Sequence, residues 1–303
     1  MQAQLLEHVV TGPVRRHPGP QPAGKHAQGR GTVPGRRRGI EALHRGSRPL
    51  LVSLPHVGTA LPDALRPRLL PRALDTEDTD WHLERLYGFV RDMGASLLVP
   101  RHSRYLVDLN RPPENQPMYP GANNTELCPT RFFTGDPLYR DGMAPTPDEV
   151  EHRVAQYWRP YHAALAGELD RLRAQHGHAV LFDGHSIRSE LPWLFDGRLP
   201  DLNLGTASGA SCASALQQAL AAVLAGQTRH SHVVNGRFKG GHITRHYGRP
   251  ADGLHAVQLE MAWSCCMNDA PDELPRFGWR EDRAAEVRPT LRALVQAMLD
   301  FRP

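Results

Sequence analysis

The chain has 303 residues, 40% of them hydrophobic and 22% charged, which suits one large α/β domain or two small ones. The formal charge of +4 is misleading: residues 1–48 hold nine Lys/Arg against two Asp/Glu, the remainder holds 27 against 30, and charge gives no case for a nucleic-acid-binding body. No apolar run nears the roughly 18 residues of a membrane helix, Met1 to Val10 lack a secretory core and cleavage site, and Cys128, Cys212, Cys265 and Cys266 form no CxxC pair, so a cytoplasmic protein without a disulfide scaffold is expected.

The segment GPVRRHPGPQPAGKHAQGRGTVPGRRRG is rich in Gly, Pro and Arg and almost free of large apolar residues. It cannot bury enough surface to offset its ordering entropy, which predicts a disordered basic tail over residues 1–38 ahead of a folded domain over 39–303. Leu50 to Leu54 is a short apolar run before Pro55-His56 and reads as a buried strand entering a loop. Leu83, Leu86, Tyr87 and Val90 have helical spacing, which predicts a helix over Trp81–Met93 with Asp78 and Thr79 as candidate caps. Ala95–Val99 and Arg104–Leu109 read as further strands. Residues 112–147, rich in Pro, Gly and Asn, are too long for a plain connection and read as an excursion near a site. A long helix is predicted from Pro147 to about His176. Then follow a strand over His178–Asp183 ending in Gly184-His185-Ser186, a helix over Ala210–Ala225, and short strands at His232–Val234 and Ala256–Ala262. A last helix spans Glu281–Phe301. Strands alternating with helices imply an α/β fold with a mostly parallel sheet covered on both faces.

In such sheets, sites form beyond the carboxyl ends of strands. Three predicted strands deliver polar residues there: His56 from the first, Asp183 and His185 from the second, and Glu260 from the last. Gln258 and Glu260 share one face of a strand that should be buried on both. A buried carboxylate needs a cation, a metal or a raised pKa; the bland alternative is an ion pair with one of the many arginines. His56 and His185 at two strand ends make a plausible metal pair. A hydrolytic site of this type takes a third protein ligand, for which Glu77, Asp78 and Asp80 compete. Asp80 has the spacing of the apolar face, whereas Asp78 fits better as a cap. Arg104, Arg111, Arg188 and Arg245 neighbour these residues and could grip carboxylates through paired hydrogen bonds, or serve only in surface ion pairs. There is no GxGxxG, Walker A or GxSxG sequence.

The blocks PLLVSLPHVGTALP, DTDWHLERLY, RYLVDLNRPP, LFDGHSIRSELPWLF, NGRFKGGHITRHYGRP and GLHAVQLEMA, in this order, resemble the N-formylglutamate amidohydrolase family from about residue 40 to the end. The resemblance implies a mixed, mostly parallel sheet flanked by helices, similar to zinc-dependent exopeptidases of the phosphorylase/hydrolase-like kind. It implies one divalent metal ion, zinc by preference, and hydrolysis of N-formyl-L-glutamate to formate and L-glutamate at the end of a histidine-degradation route. It makes His56, Asp80 and His185 the expected ligands and Glu260 the general base. Arg104, Asn110, Arg111, Arg188 and Arg245 become the expected substrate-binding residues, with Arg188 or Arg245 beside the developing oxyanion. The His-x-x-Glu pair common in zinc exopeptidases is missing, because Thr59 stands three residues after His56. The expected partner is a small molecule, with no nucleic acid and no membrane. A related amidohydrolase acting on another N-acyl amino acid or small peptide is the competing reading.

Overall fold

The computed structural model describes residues 41–117 and 123–303; the expected tail over residues 1–38 lies outside them. Seven strands form one sheet: β1 (Glu41–His44), β2 (Leu50–Ser53), β3 (Ser96–Pro100), β4 (Ala179–Ile187), β5 (Leu202–Gly205), β6 (His232–Val234) and β7 (Leu254–Ala262), in the order β1-β3-β2-β4-β7-β5-β6. Strands β3, β2, β4 and β7 run parallel to one another. β1 is antiparallel to β3, and β5 is antiparallel to β7 and parallel to β6. The sheet is therefore mixed and mostly parallel, as expected. Sequence patterning missed β1 and β5. Each has only four residues, and Asn203 interrupts the apolar run of β5.

Helices cover both faces, which explains why β2, β4 and β7 are buried at every position. One face carries Val52, Val180, Phe182, Val257 and Leu259, packed against α4 (Ser214–Ala225) and α6 (Glu281–Asp300). The other carries Leu51, Leu181 and Ala256, packed against Tyr161, Leu165, Leu169 and Leu172 of α3 (Arg159–His176) and against Ile243 and Tyr247 of α5 (His242–Tyr247). Side chains alternate along a strand, so Asp183 and His185 of β4, and Gln258 and Glu260 of β7, all belong to the α3 face.

The long helix is present but not uniform. It begins as α2 (Pro147–Arg153), where the Thr146 side chain accepts the Glu149 amide as N-cap. It then passes through a wide π turn over Val154–Trp158 into α3. The Arg159 amide reaches back five residues to the Val154 carbonyl, and Pro160 has no amide hydrogen with which to restore the four-residue pattern. Two expected elements differ. The Trp81–Met93 helix reduces to α1 (Leu83–Leu86) and a 3-10 turn over Gly88–Val90, because His82 before it is left-handed (φ 63°) and Gly88 follows it. Neither Asp78 nor Thr79 caps it. Arg104–Leu109 is a run of turns, not a strand. Its apolar residues are split: Tyr105 and Leu106 fill a separate small cluster with Phe132, while Val107 and Leu109 join the α3 face.

Candidate active site

The site lies where β2, β4 and β7 end. β2 and β4 are hydrogen-bonded neighbours, with Ser53 level with Asp183, and three residues past Ser53 the chain turns at His56. β4 extends through Ile187, four residues beyond the expected end, because β7 matches it residue for residue, with His185 level with Glu260. Asp80 is carried in by the turn before α1, whose amide bonds the His56 carbonyl at 3.0 Å.

The ligand atoms of His56, Asp80 and His185 all lie within 4.8 Å of one another, and all three side chains are buried. Nδ1 of His185 is 3.1 Å from Asp80 Oδ2, and Nδ1 of His56 is 3.7 Å from the same oxygen. The other imidazole nitrogens face outward to carboxylates: His56 Nε2 is 2.7 Å from Asp108 Oδ1, and His185 Nε2 is 3.0 Å from Asp183 Oδ2. Two imidazoles backed by carboxylates, with their free nitrogens turned to a third oxygen ligand, form the donor set that a divalent ion of the zinc type accepts. Nη1 of Arg104 also approaches His56 Nδ1 at 3.2 Å, while its Nη2 donates to Asp108 at 2.6 Å. A cation taking the His56 lone pair displaces the first contact and leaves the second.

The electrostatics fit the same task. Burial drives Asp80 up, but hydrogen bonds and charge from His185 and His56 outweigh it and hold the carboxyl below the usual range. Burial pulls His185 down, but Asp183 and Asp80 outweigh it and raise the imidazole well above its ordinary value. The proton shared by His185 and Asp80 stands where a cation can replace it. Glu260 is different. Burial pushes its carboxyl up to about 8, against the lowering charge of His185. Gln258 holds it: Nε2 of Gln258 is 3.5 Å from Glu260 Oε2, and Oε1 of Gln258 accepts the Gly241 amide at 2.7 Å.

The structure separates the three candidate acids. Glu77 is bound by Arg72 and Arg276. Asp78 takes the Tyr105 hydroxyl at 2.8 Å and the Phe133 amide at 3.0 Å, and burial pushes its carboxyl up to about 6. Only Asp80 faces both histidines. Of the expected substrate-binding residues, Arg104, Asn110 and Arg111 line the cleft that holds the cluster. Asn110, however, is turned inward. Its Nδ2 lies 2.9 Å from His185 Nε2 and donates to Asp183 at 3.2 Å, and its Oδ1 accepts the Ile243 amide at 2.8 Å. Asn110 therefore braces Asp183, the carboxylate behind His185.

Arg188 and Arg245 are not in the cleft. Arg188 has the opposite strand parity from His185, and its guanidinium lies 5.1 Å from the Trp263 ring. Arg245 leaves α5 on the side away from the buried Ile243, Thr244 and Tyr247, where its Nε donates to the Gly240 carbonyl at 2.9 Å. Sequence reasoning missed Asp108 as the His56 partner, and missed Arg237 and Phe238, which line the cleft. The RYLVDLNRPP and NGRFKGG blocks contained them; the carboxylate four residues after Arg104 was the available signal. The 112–147 excursion does reach the site, since Asn123, Thr125 and Phe133 line the same cleft.

A parallel α/β sheet with two carboxylate-backed histidines, an aspartate and a separate buried glutamate at its strand ends is a hydrolase architecture. The chain belongs to the N-formylglutamate amidohydrolase family, whose model matches residues 48–267. N-formylglutamate deformylases of Pseudomonas putida and Pseudomonas aeruginosa are each 52% identical to it over 260 residues, spanning 86% of this chain and 96% of theirs. The crystal structure of N-formylglutamate amidohydrolase from Ralstonia eutropha shares the fold, with a TM-score of 0.68 at 24% identity over 86% of this chain and 96% of that one. Among the described residues no helix is long and apolar enough to cross a membrane.

Proposed function

We propose that this protein hydrolyses N-formyl-L-glutamate to formate and L-glutamate, with His56, Asp80 and His185 holding one divalent metal ion, zinc in the first instance, and Glu260 acting as general base. The observation that carries this reading is the meeting of His56, Asp80 and His185 in one buried cluster with Glu260 in register beside His185. The family membership and the two deformylase relatives support the choice of substrate. The family resemblance also supports a place at the end of a histidine-degradation route, and four cysteines without a disulfide pattern support a cytoplasmic address.

When bound, a divalent ion in such a cluster supplies Lewis acidity to the formyl carbonyl and lowers the pKa of a water. The protein's own groups do the rest. Asp108 and Asp183 accept hydrogen bonds from the Nε2–H groups of His56 and His185 and so keep both Nδ1 lone pairs aimed inward. Glu260, whose burial favours proton uptake, accepts the proton of the attacking water as oxygen bonds to the formyl carbon. It then delivers that proton to the amide nitrogen as the C–N bond breaks. The Arg104 guanidinium, 3.8 Å from Asp80 Oδ1, brings positive charge to the side where the oxyanion develops. It takes the role that the sequence suggested for Arg188 or Arg245.

Formate release from N-formyl-L-glutamate, measured beside the metal content of the purified protein, tests the proposal. N-acetyl-L-glutamate is the control, since a tight formyl pocket excludes the added methyl group. Metal-free protein with full activity, or faster turnover of the acetyl compound, overturns it.

A further inference from the structure

The cleft holding the His-Asp-His cluster is lined by three arginines: Arg104, Arg111 and Arg237. They are not equivalent. Arg104 is buried and bonded to Asp108 and His56. Arg111 stands beside it, with Nη2 donating to Thr125 Oγ1 at 3.0 Å and Nε 3.9 Å from Asp108 Oδ2. Both belong to the His56 side. Arg237 arrives from the other side, three residues past β6, which is separated from β4 by β7 and β5. Its Nη2 donates to the Leu194 carbonyl at 2.7 Å, and its guanidinium carbon lies 5.9 Å from the Phe238 ring centre. Phe238 in turn meets Phe195 edge-on at 6.1 Å. Arg237 is thus a planar cation braced against an apolar wall, on the side of the cleft that the segment after β6 supplies.

The geometry of a glutamate matches this spread. The α-carboxylate is attached to the carbon that carries the departing nitrogen, so it must stay near the reacting centre. The side-chain carboxylate lies two methylenes further along. Resting on the deformylase reading, we infer that Arg237 binds the side-chain carboxylate of the substrate and sets the preference for an acidic side chain, while Arg111 takes the α-carboxylate. A guanidinium fork held in place offers a carboxylate two parallel hydrogen bonds, and its immobilisation lowers the ordering cost of binding. The apolar wall strengthens the charge recognition by keeping water away.

N-formyl-L-glutamine separates the two tasks, because it has nearly the size of the glutamate compound but no side-chain charge. Wild type is expected to favour N-formyl-L-glutamate over it by on the order of 10²-fold or more in kcat/KM, as sites built around a polar group do. Arg237→Met, which keeps the apolar stem on Phe238, should erase most of that ratio: about a 10²-fold loss for the glutamate compound, mainly in KM, against a few-fold change for the glutamine compound. Arg111→Met should weaken both substrates alike. Arg237→Lys keeps the charge, loses the fork, and should fall between wild type and Arg237→Met. An unchanged ratio in Arg237→Met, or equal losses on both compounds, overturns the inference and leaves the deformylase reading intact. Wild type that releases no formate from N-formyl-L-glutamate overturns both.

Discussion

Glu260 meets two conflicting demands. In the proposed role of general base it must be buried to act on a sheltered water, and burial makes its carboxylate expensive, which is why its carboxyl is pushed up to about 8. In that role it acts on a proton and need not hold the ion. Glu260→Gln keeps the size and the contact with Gln258 but cannot accept a proton. It should retain near-normal metal content and substrate affinity, with kcat lower by on the order of 10²–10⁴. Loss of metal from this variant reassigns Glu260 as a ligand; normal turnover removes it from the mechanism. Asp108 offers a contrasting case. It touches His56, Arg104 and the Asn110 amide, all from behind the cluster. Asp108→Asn should weaken metal affinity by about 10–100-fold, the usual worth of a carboxylate backing a ligand histidine, and added metal should restore part of the activity. Titration with zinc followed by activity measurement checks this. Asp183 is bonded to His185, Asn110 and Ser53, so it serves as a backing group as well.

Among the elements, α5 shows how tightly backbone and site are joined. Gly241 precedes it, and its amide holds Gln258. A Cβ at Gly241 would sit 2.4 Å from Asn110 Nδ2, the amide that lies against His185. Its φ of −82° is open to any residue, so space alone demands glycine here. Gly241→Ala must push Asn110 from its place. We expect a destabilisation of about 1–3 kcal/mol, the usual range for overpacking, with kcat falling further than this implies because Asp183, behind His185, loses its Asn110 contact. Urea unfolding and kinetics on the same preparation measure the two effects. The π turn over Val154–Trp158 serves the same region. It sets Trp158 so that its indole N–H donates to the Arg111 carbonyl at 2.9 Å and its ring stacks on His162 at 3.7 Å.

For the molecule as a whole, His162 links packing to pH. Its Nε2 donates to the Leu109 carbonyl and its Nδ1 accepts from the Tyr247 hydroxyl, both at 2.9 Å, so it is held neutral between α3, α5 and the turn before Arg111. Burial lowers its pKa from 6.5 to about 3. Between those values the unfolded chain binds a proton that the folded one refuses, so this contribution to stability is complete above pH 6.5 and lost as pH falls towards 3. From pH 7 to pH 5 the loss is about 2 kcal/mol. His162→Gln keeps one donor and one acceptor but does not titrate. Its urea midpoint should therefore fall less than that of wild type over this interval, and parallel curves would show that His162 takes no part.

Much of this protein is legible in its sequence, because local rules act on neighbouring residues. The apolar runs of β2, β4 and β7 announce a sheet buried on both faces. The period of two places Gln258 and Glu260 together, and His56 and His185 fall at strand ends where such sheets build sites. The short strands β1 and β5 carry too few residues for a pattern to register, and the Arg104–Leu109 run is apolar enough to read as a strand while its side chains divide between two clusters. That Asp80, and not Glu77 or Asp78, meets the two histidines lay beyond any local rule. It depends on which carboxylate Arg72, Tyr105 and Phe133 occupy. The pairings of His56 with Asp108 and of His185 with Asp80 span 52 and 105 residues. The placement of Arg188 and Arg245 outside the cleft lining, and of Arg237 within it, follows from the direction in which each backbone segment leaves the sheet. Contacts of this kind join segments that share no periodicity, so composition and spacing specify the groups available for chemistry, and only the packing of the whole sheet with its helices decides which of them meet.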